Sequence, residues 1–204
     1  MRSVWPYHAL LAALFFSFGA PAVEAQSQQT SPSRYPPMRR PNELIRRQAP
    51  PVINRSLADV INPSNSRVYI SLSKQRAYLM TGDQVYIDTP VSTGKRAGMT
   101  PTGTFRITEK DIDHRSSIYG DFVDRRGRVV RSGVSTRVDS APSGTRYRGA
   151  PMKYFCRLTG SGVGFHVGIL PGYPASHGCI RLPAEIAPLI YEKVKIGTEA
   201  TIDL

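Results

Sequence analysis

Two cysteines in 204 residues are too few to build a disulfide scaffold, so this chain must hold itself together by burying a core. Acidic residues are also scarce, 15 against 27 lysines and arginines, which leaves a formal charge of +12. Charge of that sign attracts nucleic acid, anionic lipid or an acidic polymer without choosing among them. The sequence has no helix-turn-helix, no zinc knuckle and no aromatic RNA-binding strand, so nucleic acid is not the expected partner. An uncharged apolar run at residues 9–18 is shorter than the roughly twenty residues a bilayer span needs, and no stable membrane span is expected. No internal repeat is present.

That apolar run follows Met1-Arg2 and precedes Val23-Glu24-Ala25, which places small residues three and one positions before a cut. Residues 1–25 are therefore read as a secretory signal peptide, and the mature protein is expected to be secreted, in the periplasm. No cysteine follows the run at once, so a lipid anchor has no attachment point. Residues 26–66 hold Pro32, Pro36, Pro37, Pro41, Pro50, Pro51 and Pro63 and six arginines, a composition that extends rather than packs. They are expected to be a disordered linker, with residues 57–61 (L-A-D-V-I) able to dock on the domain that begins at Arg67.

From Arg67 the texture changes. Val68, Ile70 and Leu72 alternate with Tyr69 and Ser71, the period of a half-buried strand. Turn signals at Ser73-Lys74 and Thr81-Gly82-Asp83 separate further strands at 76–80 and 84–91, and another is expected at 103–108. Residues 111–148 are charged, glycine-dotted and poor in apolar runs, and read as a long loop excursion that covers a groove. Strand texture resumes at 155–158 and 163–169. Ile186, Leu189, Ile190 and Val194 suit one face of a short helix starting near Pro188 and closed by Gly197, before a last strand at 200–202. The expected fold is mainly β, a sandwich with a short C-terminal helix, over residues 67–204.

The chemistry concentrates in residues 164–182, G-F-H-V-G-I-L-P-G-Y-P-A-S-H-G-C-I-R-L. A cysteine attacks as thiolate, and a nearby histidine lowers its pKa and takes its proton. His166 ends an expected strand, and the Pro171–Pro174 turn brings Cys179 back toward it. Gly178 leaves room for a substrate carbonyl, whose oxygen the N–H groups around Gly178 and Cys179 can face. His177 is poorly aimed to be the base. Cys156, in an apolar-leaning stretch, reads as a small core residue. His166, His177 and Cys179 give three of the four ligands a structural zinc wants, so no metal is expected.

The string Ser176-His177-Gly178-Cys179-Ile180-Arg181 with a separate His166 resembles the signature of the L,D-transpeptidase (YkuD-like) family. Supporting blocks run in order: 68–78, then Pro90-Val91-Ser92-Thr93-Gly94-Lys95, then Thr100-Pro101-Thr102-Gly103, then Gly197-Thr198. The resemblance implies an L,D-transpeptidase-type β-sandwich acting on peptidoglycan stem peptides. Cys179 would attack the amide between meso-diaminopimelate and D-alanine, release D-alanine and hold a thioester that an amine resolves. It makes His166 the base, with the Val167 carbonyl orienting its ring, and Ser176, His177 and Gly178 the oxyanion segment. Arg181 would hold loop or substrate, and Tyr154 would line the donor groove. It implies no cofactor, and capture by carbapenems. Three departures stand out: only twelve residues separate His166 from Cys179, Val167 occupies a position where glycine or serine is frequent, and Cys156 has no role in that chemistry. Water or an outer-membrane protein amine could replace the stem as acceptor, and a non-catalytic peptidoglycan-binding module is the reading from another class.

Overall fold

The computed structural model describes residues 47–204; the expected signal peptide and the first part of the expected linker lie outside the described residues. The described residues form thirteen strands: β1 (Val52–Ile53), β2 (Ser66–Ser71), β3 (Arg76–Thr81), β4 (Gln84–Pro90), β5 (Gly103–Arg106), β6 (Glu109–Asp111), β7 (Arg115–Val123), β8 (Val129–Ser135), β9 (Arg146–Pro151), β10 (Phe155–Arg157), β11 (Gly164–Val167), β12 (Ile180–Leu182) and β13 (Glu199–Asp203). Among the described residues a short 3-10 turn at Arg55–Leu57 follows β1, and an α-helix, α1 (Ala187–Lys193), precedes the last strand, with Pro188 in its first turn where a missing N–H costs no hydrogen bond.

The strands make a six-stranded sheet, β1-β4-β3-β2-β13-β5, and a four-stranded sheet, β12-β11-β10-β6. In the first, only the β13–β2 pair is parallel, so the C-terminal strand enters between β2 and β5. Period-two patterning decides which side is buried: Val68 and Ile70, Ala77 and Leu79, and Ala200 and Ile202 face inward on successive strands. They meet Phe165, Ile180 and Leu182 from the second sheet, Ile186 just before α1 and Ile190 within it in one cluster. Each fully buried side chain of this size contributes about 1.5–3 kcal/mol of transfer free energy.

Two expectations need correction. Part of the expected linker belongs to the folded unit: Leu57 and Ile61 dock in the core as the sequence allowed, but β1 also pairs with β4 and the Gln48 side-chain amide donates to Val91 O at 3.1 Å. Prolines do not prevent this because β1 is an edge strand of two residues. The excursion at 111–148 is also largely strand rather than loop. β7 pairs with β8 on one side and β9 on the other as a separate three-stranded ribbon. Much of β8 is exposed, so no apolar alternation marks it.

Candidate active site

The β11–β12 pair is parallel, with Phe165 opposite Ile180 and His166 opposite Arg181. Directly opposed residues share a face and neighbours along a strand alternate. Phe165 and Ile180 therefore point into the core, whereas His166 and Arg181 point the other way. Cys179, one step before Ile180, falls on the same face as His166. Both line a cavity of about 1090 Å³ whose wall also includes Arg181, Arg157, His177 and Tyr119. A side chain at position 164 would collide with the Cys156 carbonyl, and this explains the glycine beside the nucleophile.

His166 is 8 % exposed, and its Nδ1–H donates to Val167 O at 2.7 Å. A carbonyl only accepts, so that bond leaves Nε2 unprotonated and able to take a proton. Burial pulls the imidazole down to about 4, against a lesser opposite effect of the Val167 bond; Arg181 and His114 add to the lowering. The base is neutral at physiological pH. Burial raises the Cys179 thiol, while the Gly164 N–H, Arg181 and Arg157 oppose the rise. Here the structure differs from the sequence expectation of a resting thiolate: the pair is neutral, and the thiol proton leaves as the sulfur attacks. Cys179 and Cys156 are both free thiols, and Cys156, fully buried, is pushed up to about 12 by that burial. Cys156 is a core residue.

The loop before Cys179 is fixed by Ser176. Its buried Oγ donates to Cys179 O at 2.6 Å and accepts from the Gly178 N–H at 3.0 Å. Gly178 has φ +136°, and an added Cβ would lie 2.8 Å from Met99 O. Thr100 Oγ1 donates to Gly178 O at 2.6 Å and accepts from the Gly94 N–H at 2.8 Å. Ser92 exchanges backbone bonds with Arg181, and the Ser176 N–H donates to Thr93 O. The upstream blocks at 90–95 and 100–103 thus form a strap that holds the catalytic loop. The Gly178 N–H is committed to Ser176 and is therefore not free to face an oxyanion at this loop.

The remaining expected residues divide. Val167 lines the cavity and orients His166. Arg181 lines it too, laying its aliphatic part over Gly168 and donating to Ile169 O at 3.4 Å. His177 does not join His166 and Cys179 in a ligand cluster: its ring stacks on Tyr119 with centroids 4.3 Å apart, and its Nε2 accepts from Lys95 Nζ at 3.3 Å. Tyr154 is the correction. It is not among the cavity-lining residues, although Met152 and Lys153 are. Its φ of 57° turns the chain, and the ring packs edge-on against Tyr191 of α1 at 5.6 Å.

Sequence reasoning missed Tyr119, His114, Arg157 and Ser161, all of which line the cavity. Tyr119 and His114 lay in the segment read as a loop, where no period gave them a face.

The family model of the L,D-transpeptidase catalytic domain (YkuD) matches residues 65–202. Among solved structures, the L,D-transpeptidase from Mycobacterium smegmatis is similar at 21% identity with a TM-score of 0.51, over 69% of this chain and 59% of that one. A second, the LD transpeptidase LdtMt1 in complex with imipenem, is similar at 22% identity with a TM-score of 0.50, over 68% of this chain and 58% of that one. The chain thus spans less than two thirds of the length of either structure, and at these identities the likeness is one of fold. No curated protein matches it.

Proposed function

Since the chain belongs to the L,D-transpeptidase catalytic-domain (YkuD) family, we propose that it is a cysteine acyltransferase acting on peptidoglycan stem peptides. Cys179 attacks the carbonyl that joins diaminopimelate to the terminal D-alanine of a tetrapeptide stem. His166 Nε2 takes the thiol proton during attack and returns it to the leaving amine, so D-alanine departs as a neutral amine. The Cys179 N–H receives the developing oxyanion. A thioester to Cys179 remains, and the amine of a second stem resolves it as a new amide, linking two stems. Water would give a shortened stem instead, and a protein amine an anchored protein. Stem peptides carry carboxylates, which suits a wall bearing Arg137, Lys153, Arg157 and Arg181.

The observation that supports this reading is the placement of Cys179 and His166 on one face of adjacent parallel strands, with His166 held in the tautomer that accepts at Nε2. The apolar N-terminal run and the cut site after Ala25 support a working enzyme outside the cytoplasm, in the periplasm. Among the described residues no helix is long and apolar enough to cross a membrane.

The test is incubation with a disaccharide tetrapeptide followed by mass spectrometry. Loss of D-alanine with dimer is the expected product, tripeptide alone would identify water as acceptor, and Cys179→Ala should remove every product. A carbapenem should add one adduct at Cys179 and none at Cys156. Product formation by the Cys179→Ala variant would end this reading.

A further inference from the structure

The acyl-transfer reading leaves one proton without an acceptor. A stem amine is an ammonium at neutral pH, with a pKa of about 10. To become an amide nitrogen it must shed two protons, one before it attacks and one as the tetrahedral adduct collapses. One imidazole holds one added proton at a time. His166 can relay the second to the departing Cys179 sulfur, which leaves the first.

A second imidazole faces the same cavity. His114 stacks on Phe155 with centroids 4.2 Å apart and an interplanar angle of 15°, and Phe155 in turn lies 6.4 Å from the His166 ring. Its Nδ1 is 3.1 Å from Asp111 Oδ2 and 3.8 Å from Glu109 Oε1. The carboxylate accepts from Nδ1–H, so in the neutral ring the lone pair lies on Nε2. The charged groups around the ring are Asp111 and Glu109 on β6, Arg157 on β10, Lys153 just before it, and His166 and Arg181 across the cavity. Among the described residues the cavity lining has cations and no acidic residue. Behind that wall Arg157 pairs with Glu109 and Lys153 with Asp113, which leaves Arg137 and Arg181 to favour a neutral amine over an ammonium at the thioester.

We propose that His114, oriented by Asp111, is the base that deprotonates the acceptor ammonium before it attacks the thioester; this rests on the acyl-transfer reading above. The ammonium passes one proton to His114 Nε2. The neutral amine adds to the thioester carbonyl, the new carbon–nitrogen bond forms and the carbon–sulfur bond breaks. The second proton reaches the Cys179 sulfur through His166, and protonated His114 releases its proton to water.

The experiment forms the Cys179 acyl-enzyme with a tetrapeptide stem and then follows its decay with two acceptors. One is a stem amine, protonated at neutral pH; the other is hydroxylamine, which is not. In H114Q, decay by the stem amine should fall about 10²-fold relative to acylation. The loss should shrink as pH rises toward the amine's own pKa, and decay by hydroxylamine should stay within a few-fold. D111N should shift the ratio between the two acceptors in the same direction, by about tenfold, and it carries the test should H114Q fail to fold by circular dichroism. Equal slowing with both acceptors would assign these residues a structural role and overturn the proposal, as would an unchanged ratio. Absence of any Cys179 adduct on the unaltered protein would remove the acyl-transfer reading, and this inference with it.

Discussion

The loop that carries Cys179 is tied by hydrogen bonds from Tyr173 to Arg181, whereas the ribbon of β7, β8 and β9 meets it through the aromatic stack of Tyr119 on His177. The loop's ties are buried and mutually dependent, since Ser176, Thr100 and Gly178 share one set of hydrogen bonds. In the ribbon the ladder to β9 breaks between Arg115 and Gly120, where Ser116 Oγ accepts from the N–H groups of Ile118 and Tyr119. That break is what turns residues 116–119 toward the cavity. Rigidity thus belongs to the groups that must hold a reacting carbonyl, and latitude to the wall that must admit a stem peptide.

If that division is right, substitutions in the floor should cost far more than substitutions in the roof. The largest effect is expected at His166. H166Q should slow acylation of Cys179 by about 10²–10⁴-fold, read as the rate of carbapenem adduct formation. The same variant tests the electrostatics. The imidazole sits at about 4 in the fold against 6.5 when free, so the unfolded chain binds its proton first as pH falls. Stability from this group is complete above 6.5 and is lost between there and about 4, a contribution of about 3 kcal/mol. H166Q should therefore flatten the acid limb of a plot of denaturation midpoint against pH; an unaltered limb would show that the ring is not buried neutral.

Ser176 comes next. S176A leaves the Gly178 N–H and the Cys179 carbonyl without their partner at a buried position, a loss of about 1–3 kcal/mol in urea unfolding. Its acylation rate should fall as well, since the loop that aims Cys179 loosens. Loss of stability with full activity would mean that Ser176 holds the fold and not the site.

How much of this was legible in the sequence divides along the same line. Strands with one buried and one wetter face announced themselves through Val68 and Ile70 or Ala77 and Leu79, and the nucleophile through its unusual string of residues. The blocks at 90–95 and 100–103 were visible as resemblance, but their purpose as a strap is a matter of backbone bonds that no side-chain pattern encodes. β7 to β9 escaped because exposed strand faces need no apolar period, and a ladder interrupted by Ser116 shows none. Tyr154 misled because its left-handed φ turned the ring away from the groove to which resemblance had assigned it.

The smallest effect is expected in the roof. Y119A removes the stack on His177, a contact of about 0.5–1.5 kcal/mol beyond its area, on the middle strand of a ribbon that lies outside the main core cluster. Global unfolding should scarcely move, because Tyr119 contributes nothing to the cluster that binds the two sheets. What should change is substrate capture: KM for the stem peptide should rise while the rate of carbapenem acylation, which depends on the floor, holds within about twofold by the additivity of distant sites. A fall in that acylation rate as large as that of S176A would erase the contrast, because it would mean that His177 and the oxyanion N–H groups are held in place from above as firmly as from below.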